Sequence, residues 1–423
     1  MIAVNKNKDL RIAIIGAGAS GLTAGWELKN KGYKNVVIYE KESQVGGKTF
    51  SFPYKNKNFE LGSMMFSRFD ETAWLARHFK VPFQSFDTEK FYLANKKYVN
   101  PFRYARRYYS LPRILTALYH VKRIVAKNNF YDDDLAAVGS EFYENFGDFS
   151  RKNKIEPIVK LFEPAITCLG YGYFEETPAI YILKIMASML DNSLFLSLLF
   201  NGRLTCYFPD GWITLWKKVA GELDVRLNSV MKEIRRESNG IKIILNGREE
   251  IFDRLIITVP LNKVGNFLDL DDREKELFAA SRPNRLISTL VECSTSLPRS
   301  FFFADNAHAD RIGHVLGIEN YYPETNTVVL FQVVGSDIKA NEINAMILKD
   351  FEEQLNCEVK EIVLQKDWEY FHHASSEDLR NGFYAKLYAL QGEKNTFYLG
   401  GIFNFETVAH CEKYASHIVN KYF

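Results

Sequence analysis

Apolar positions fall in two rhythms along this chain. Ile12-Ala13-Ile14-Ile15 and Val36-Val37-Ile38-Tyr39 are short continuous apolar runs, the pattern of strands buried on both faces of a parallel sheet. The segment between them, from Leu22 to Leu28, reads as a helix. Helical spacing returns from Asp70, with Trp74, Leu75, His78 and Phe79, and again over Leu135–Phe146, Ile155–Leu161 and Tyr181–Leu199. A helix from Ile213 to Leu223 is followed by short strand-like runs at Val225–Asn228, Val230–Ile234, Ile241–Leu245 and Arg254–Val259. Pro260 ends the last of these by removing a ladder donor. Further strands are predicted at Leu286–Glu292, Val328–Val334 and Val363–Glu369, with a helix around Ile343–Leu355. The chain closes on a strand beginning at Thr396, two glycines, and a helix from about Asn404 to Tyr422.

Glycine placement turns the first of these units into a candidate site. Gly16-Ala17-Gly18-Ala19-Ser20-Gly21 has G-x-G-x-x-G spacing where a strand becomes a helix. Gly16 permits the tight turn, Gly18 lets backbone approach a pyrophosphate, and Gly21 lets the helix pack close to its strand. The helix N-terminus, at Ala19 and Ser20, offers N–H groups and a positive dipole end to phosphates. Glu40, after the second strand, can accept hydrogen bonds from a ribose diol. Strand, glycines, helix and acid together predict dinucleotide binding.

The next segment, Lys41-Glu42-Ser43-Gln44-Val45-Gly46-Gly47-Lys48-Thr49, resembles the flavin-containing amine oxidase superfamily, in which a G-G-[RK] follows the ribose-binding acid. The resemblance implies an α/β fold: a Rossmann-type FAD-binding domain with a discontinuous α+β substrate domain and helical cap. It assigns 1–83, 205–282 and 395–423 to the FAD-binding domain, 84–204 to the cap and 283–394 to an antiparallel substrate sheet. It implies that Gly46 and Gly47 run along the diphosphate of non-covalent FAD, with Lys41 among the cofactor-binding residues. Lys48 takes the place of the usual arginine, keeping the charge without the bidentate fork. Gly62, Ser63, Met64 and Met65 would approach the isoalloxazine ring, although a strand ending in a turn explains the same residues. Val230 would meet adenine through its backbone. Gly401, Thr407 and Val408, with Phe405 and Glu406, would lie where the last helix points its dipole at the flavin pyrimidine.

Bound FAD accepts a hydride at N5, so the protein need only position a C–H bond and exclude water. In many amine oxidases of the family a lysine on the substrate-domain strand holds a water against N5; the corresponding segment here carries Arg285, which cannot act as a base. Trp212 stands where the family has a second glycine, and no amine-sandwiching aromatic is recognisable from Gly400 to Thr407. Arg285, Trp212 and Phe405 are the only catalytic candidates. The expected activity is FAD-dependent hydride transfer from a substrate C–H. The alternatives are a double-bond isomerase of an unsaturated fatty acid or similar lipid, a branch that the ending Gly400-Gly401-x-x-x-Phe405-Glu406 also resembles, and a non-catalytic FAD-binding protein.

Composition narrows the partners. The 423 residues carry a net charge of +2, which implies no general attraction to nucleic acid. Tyr and Phe number 23 and 33, enough for a large apolar cavity or equally for a well-packed core. Five scattered cysteines, with no C-x-x-C pair, favour a reducing compartment and neither metal nor disulfides. His372-His373 lacks a spaced third ligand and reads as a surface strand end. The polar N-terminus is no signal peptide, and Lys184 and Asp191-Asn192 interrupt the greasy region from Ile180 to Phe200. A cytoplasmic protein with a small, apolar or lipid-like substrate is expected. Bases interleave with aromatics from Glu89 to Phe130, which reads as a solvated helical face, as a peripheral membrane contact, or as the source of one arginine for a substrate carboxylate.

Overall fold

A computed structural model describes residues 7–85, 91–132, 134–191, 205–245 and 247–423. Five parallel strands form the central sheet, in the order Asp224–Arg226, Asn35–Tyr39, Arg11–Ile15, Arg254–Ile257 and Thr396–Tyr398. Three distant parts of the chain therefore meet in one sheet. Ile14 lies between Ile38 and Ile256, and all three are fully buried. Helix Ala19–Asn30 covers one face and lies along helix Val408–Tyr422. The other face is covered by an antiparallel sheet of Glu233–Glu237, Gly240–Leu245 and Arg248–Phe252, whose Ile241, Ile243 and Phe252 are buried. Burial on both faces is why these central strands read as unbroken apolar runs.

A second, seven-stranded sheet runs Val359–His373, Arg282–Cys293, Thr327–Val334, Gly317–Glu319, Ser300–Phe303, Phe91–Ala94 and Lys97–Val99. It is not wholly antiparallel: Ser300–Phe303 pairs with Phe91–Ala94 in parallel. The last two strands belong to the stretch expected to be a helical cap. They are three and four residues long, too short to announce themselves by alternation. The helix expected over Leu135–Phe146 is instead two single 3₁₀ turns, Leu135–Ala137 and Ser140–Phe142, followed by a helix at Phe146–Lys152. The long apolar helix is described over Ala179–Asp191, and the remainder of its expected span lies outside the described residues. The last helix starts at Val408, later than expected, because Thr407 caps it by accepting the His410 N–H.

Within the helical region, Glu163 sits on helix Pro157–Ile166 and is 2% exposed. Burial, with Glu175 nearby, pushes its carboxyl up to about 8, and the Phe174 N–H is a hydrogen-bond donor to it at 3.2 Å. Because the folded value lies above the ordinary 4.5, the resulting stability is complete below about pH 4.5 and is lost as pH rises through 8. Glu163→Gln keeps the acceptor but cannot ionise. It is expected to gain on the wild type by on the order of 3 kcal/mol between pH 5 and pH 9. Parallel curves of melting temperature against pH for the two proteins would refute this.

Candidate active site

The glycine turn sits at the carboxyl ends of the central strands, where open α/β sheets bind ligands. The Gly16 N–H donates to Tyr39 O at 2.8 Å, and Gly16 has φ +106°. Glu40 is 7% exposed, and its two carboxylate oxygens accept the N–H groups of Ala17 at 2.8 Å and Glu42 at 3.0 Å. Each oxygen keeps a lone pair for a further donor. Ser229 donates its N–H to Glu40 O at 2.7 Å, which places the following, exposed Val230 beside the acid. Lys41 instead faces solvent, 3.4 Å from Glu42.

A second glycine pair lies alongside the first. The Gly46 N–H donates to Ala17 O at 2.9 Å, and Gly18 and Gly46 bridge as in a parallel ladder. Gly18 is the N-cap of its helix, and among the described residues it makes no side-chain cap hydrogen bond. A Cβ built on Gly18 would meet nothing nearer than Gly47 Cα at 3.9 Å, so one side of the turn is open. On Gly21 it would stand 2.0 Å from Gly16 O. An open glycine, an uncapped helix N-terminus and an acid with spare lone pairs fit a dinucleotide diphosphate and ribose.

Lys48 leads from this cradle to the last motif. Its ammonium pairs with the Glu406 carboxylate and lies 5.4 Å from the centre of the Tyr370 ring. Burial alone would raise the Glu406 carboxyl, yet Lys48 and the His372 imidazole, whose Nδ1 lies 3.7 Å away, hold it at about 2, and the backbone N–H of His372 donates to the same carboxylate at 2.8 Å. The hydroxyls of Tyr171 and Tyr370 both donate to Glu406 O at 3.2 Å. Phe405 packs against Tyr171 and Phe371. Gly401 must be small, since a Cβ there would fall 2.8 Å from Glu406 Cα. On the near side, Gly62 is pressed against Lys48 O, and Ser63 donates its N–H to that oxygen at 3.0 Å. Met64 is buried and Met65 half-buried beyond it. Thr407 bonds His410 at the helix cap, leading into the half-buried Val408, and Ser20 Oγ donates to Cys411 O, tying the last helix to the first.

Besides Lys41, three expectations change here. Arg285 is turned away from this site: its guanidinium donates to Asp367 at 2.7 Å and to the carbonyls of Gly335 and Ile338. Side chains alternate along a strand, and the face toward Leu61 belongs to Leu286, Ser288 and Leu290. Ser288 Oγ donates to Leu61 O, as does Trp368 Nε1 at 2.7 Å. The Trp212 ring is enclosed by Phe66 and Phe208, and the residue's backbone N–H donates to Glu60 Oε1 at 3.1 Å. His372 is no surface residue but 6% exposed, with Nε2 unpartnered among the described residues. Tyr171, Tyr370 and His372 were missed because they lie on other elements, Tyr171 at the end of a short π turn and the others beside a left-handed Phe371 in a bulged strand.

The family model for flavin containing amine oxidoreductase matches residues 19–381. The chain belongs to this family. It is an FAD-dependent enzyme of the amine oxidase fold. It is 24% identical over 360 residues to the polyenoic fatty acid isomerase of Ptilota filicina, covering 73% of this chain and 68% of that one. The β-cyclopiazonate dehydrogenase of Aspergillus flavus is 23% identical over 92% of this chain and 88% of its own. Among solved structures, a fatty acid isomerase from P. acnes that produces CLA aligns with TM-score 0.89 and 26% identity over 99% of both chains. A putrescine oxidase aligns with TM-score 0.69 at 16% identity, a likeness of fold alone. Among the described residues, no helix is long and apolar enough to cross a membrane.

Proposed function

We propose that this amine oxidase family member is a double-bond isomerase of an unsaturated, long-chain acid or similar lipid. The observation that carries this reading is the whole-chain agreement with the fatty acid isomerase of P. acnes. The sheet face toward Leu61 and Gly62 supports it. There Leu286 and Ser288 are buried, and the Ser288 hydroxyl and Trp368 indole are already spent on Leu61 O, so neither polar group is left free. Burying the chain of such a substrate gains roughly 0.8 kcal/mol per CH₂ and needs few polar contacts. Bound FAD supplies a hydride acceptor that can also return the hydride, so a double bond moves without net oxidation. In this reading Gly16, Gly18, Gly21, Gly46 and Gly47 hold the diphosphate and Glu40 the ribose. Lys48 supplies positive charge between phosphate and ring, and the cofactor is not covalently attached.

A net dehydrogenase is the second reading, favoured by the 92% coverage shared with β-cyclopiazonate dehydrogenase. Anaerobic incubation with unsaturated fatty acids and amines, following flavin absorbance and product together, separates the two. A conjugated diene forming without lasting bleaching is the expected result. Lasting bleaching by an amine or a saturated C–H donor would refute the isomerase. Acid precipitation is expected to release the yellow chromophore into the supernatant, and colour kept in the pellet would refute non-covalent attachment.

A further inference from the structure

From Phe91 to Tyr131 the chain carries nine Lys and Arg and neither Asp nor Glu, although the whole protein has a net charge of only +2. The structure gathers much of this charge on helix Leu111–Lys127. Ile114, Ala117, Val121 and Val125 are buried on its inner face. Leu115, Tyr119, Lys122, Arg123 and Ala126, spaced 4, 3, 1 and 3 residues apart, line the opposite face. That outer face is not simply polar: Leu115 is 52% exposed and Tyr119 63%, and Tyr108, just before the helix, is 55% exposed. Arg113 is held by Glu156 at 3.1 Å, whereas no ion pair engages Lys122 or Arg123 among the described residues.

We propose that the outer face of this helix docks the enzyme on an anionic lipid bilayer. Leucine and tyrosine on one stripe, flanked by unpaired cations, suit a helix lying in the headgroup layer: the apolar groups enter the acyl boundary and the cations meet lipid phosphates. Nucleic acid would also attract the charge. However, stacking of bases needs a groove that tracks the strand, and the exposed groups here form one convex helix surface about 25 Å long. The surface rests on charge and exposure alone and goes beyond the reaction proposed above, since it holds for any substrate delivered from a membrane.

Co-sedimentation of the FAD-loaded protein with vesicles tests it, independently of any turnover. The protein is expected to pellet with phosphatidylcholine vesicles containing phosphatidylglycerol, to be released by raised salt, and to stay in solution with phosphatidylcholine alone. Lys122→Glu with Arg123→Glu should lower partitioning about tenfold or more. Leu115→Ser with Tyr119→Ser should weaken it in the presence of unchanged charge. Flavin absorbance and melting temperature should stay at wild-type values in both, because all four side chains are exposed. Failure of the wild type to pellet with anionic vesicles, equal partitioning of wild type and both variants, or preferential capture by single-stranded nucleic acid would overturn the proposal.

Discussion

Gly18→Val and Gly21→Val are expected to yield colourless proteins that differ in stability. Both residues belong to the same fingerprint, yet their surroundings are unlike. A Cβ on Gly18 has no protein neighbour closer than 3.9 Å, and Gly18 already has an extended backbone at φ −81°. A valine there can fold, but it occupies the space that the diphosphate needs. Gly21 has no room for such a change: its Cβ would stand 2.0 Å from the carbonyl oxygen of Gly16 and 3.1 Å from Thr258 Oγ1. The first contact belongs to the turn and the second to the end of the neighbouring strand Arg254–Ile257, so helix and sheet must separate. Gly18→Val should therefore match the cofactor-free wild type in denaturant midpoint while failing to take up FAD. Gly21→Val should lose roughly 3 kcal/mol or more of stability in addition, through overpacking. A yellow Gly18→Val protein would remove the assigned diphosphate site. A Gly21→Val protein as stable as Gly18→Val would show that the helix does not depend on this close approach.

That contrast marks what was legible in the chain. The turn, its acid and the second glycine pair lie within Gly16–Lys48, and their chemistry follows from local spacing. What the sequence could not carry is pairing across long separations. Lys48 and Glu406 stand 358 residues apart, and nothing local to either marks the other as its partner. The aromatic groups around Glu406 come from Tyr171, Tyr370 and Phe371, none of which lies in the last motif. Arg285 illustrates a smaller error with a larger effect. It lies on the expected strand, but alternation sends it to the face of Gly335 and Ile338, while Ser288 looks toward Leu61. The strands Phe91–Ala94 and Lys97–Val99 were hidden for another reason, since they become strands only by pairing with a distant edge.

Lys48→Met is expected to destabilise the cofactor-free protein by roughly 3 kcal/mol near neutral pH, because it strands a buried carboxylate. The Glu406 side chain is 11% exposed, and burial alone would favour its neutral form. Lys48 and the His372 imidazole overcome this and hold the folded value at about 2, below the ordinary 4.5. A depressed acid contributes stability that is complete above about pH 4.5 and is lost as pH falls through 2. Without Lys48 the carboxyl can protonate at higher pH, so the deficit of Lys48→Met should be largest at pH 7 and shrink toward pH 3. Glu406→Gln should cost less, because the freed Lys48 ammonium is 31% exposed and can turn to solvent. The double variant should be more stable than the sum of the two single losses, as expected for groups that act on each other. Urea midpoints of the four proteins between pH 3 and pH 8 decide the matter. An unchanging deficit across that range, or strict additivity in the double variant, would mean that the pair does not govern this corner of the site. The same substitution also removes the cation next to Gly46 and Gly47, so Lys48→Met should release FAD at lower dilution than Glu406→Gln. Equal retention by both would argue that Lys48 serves Glu406 rather than the cofactor.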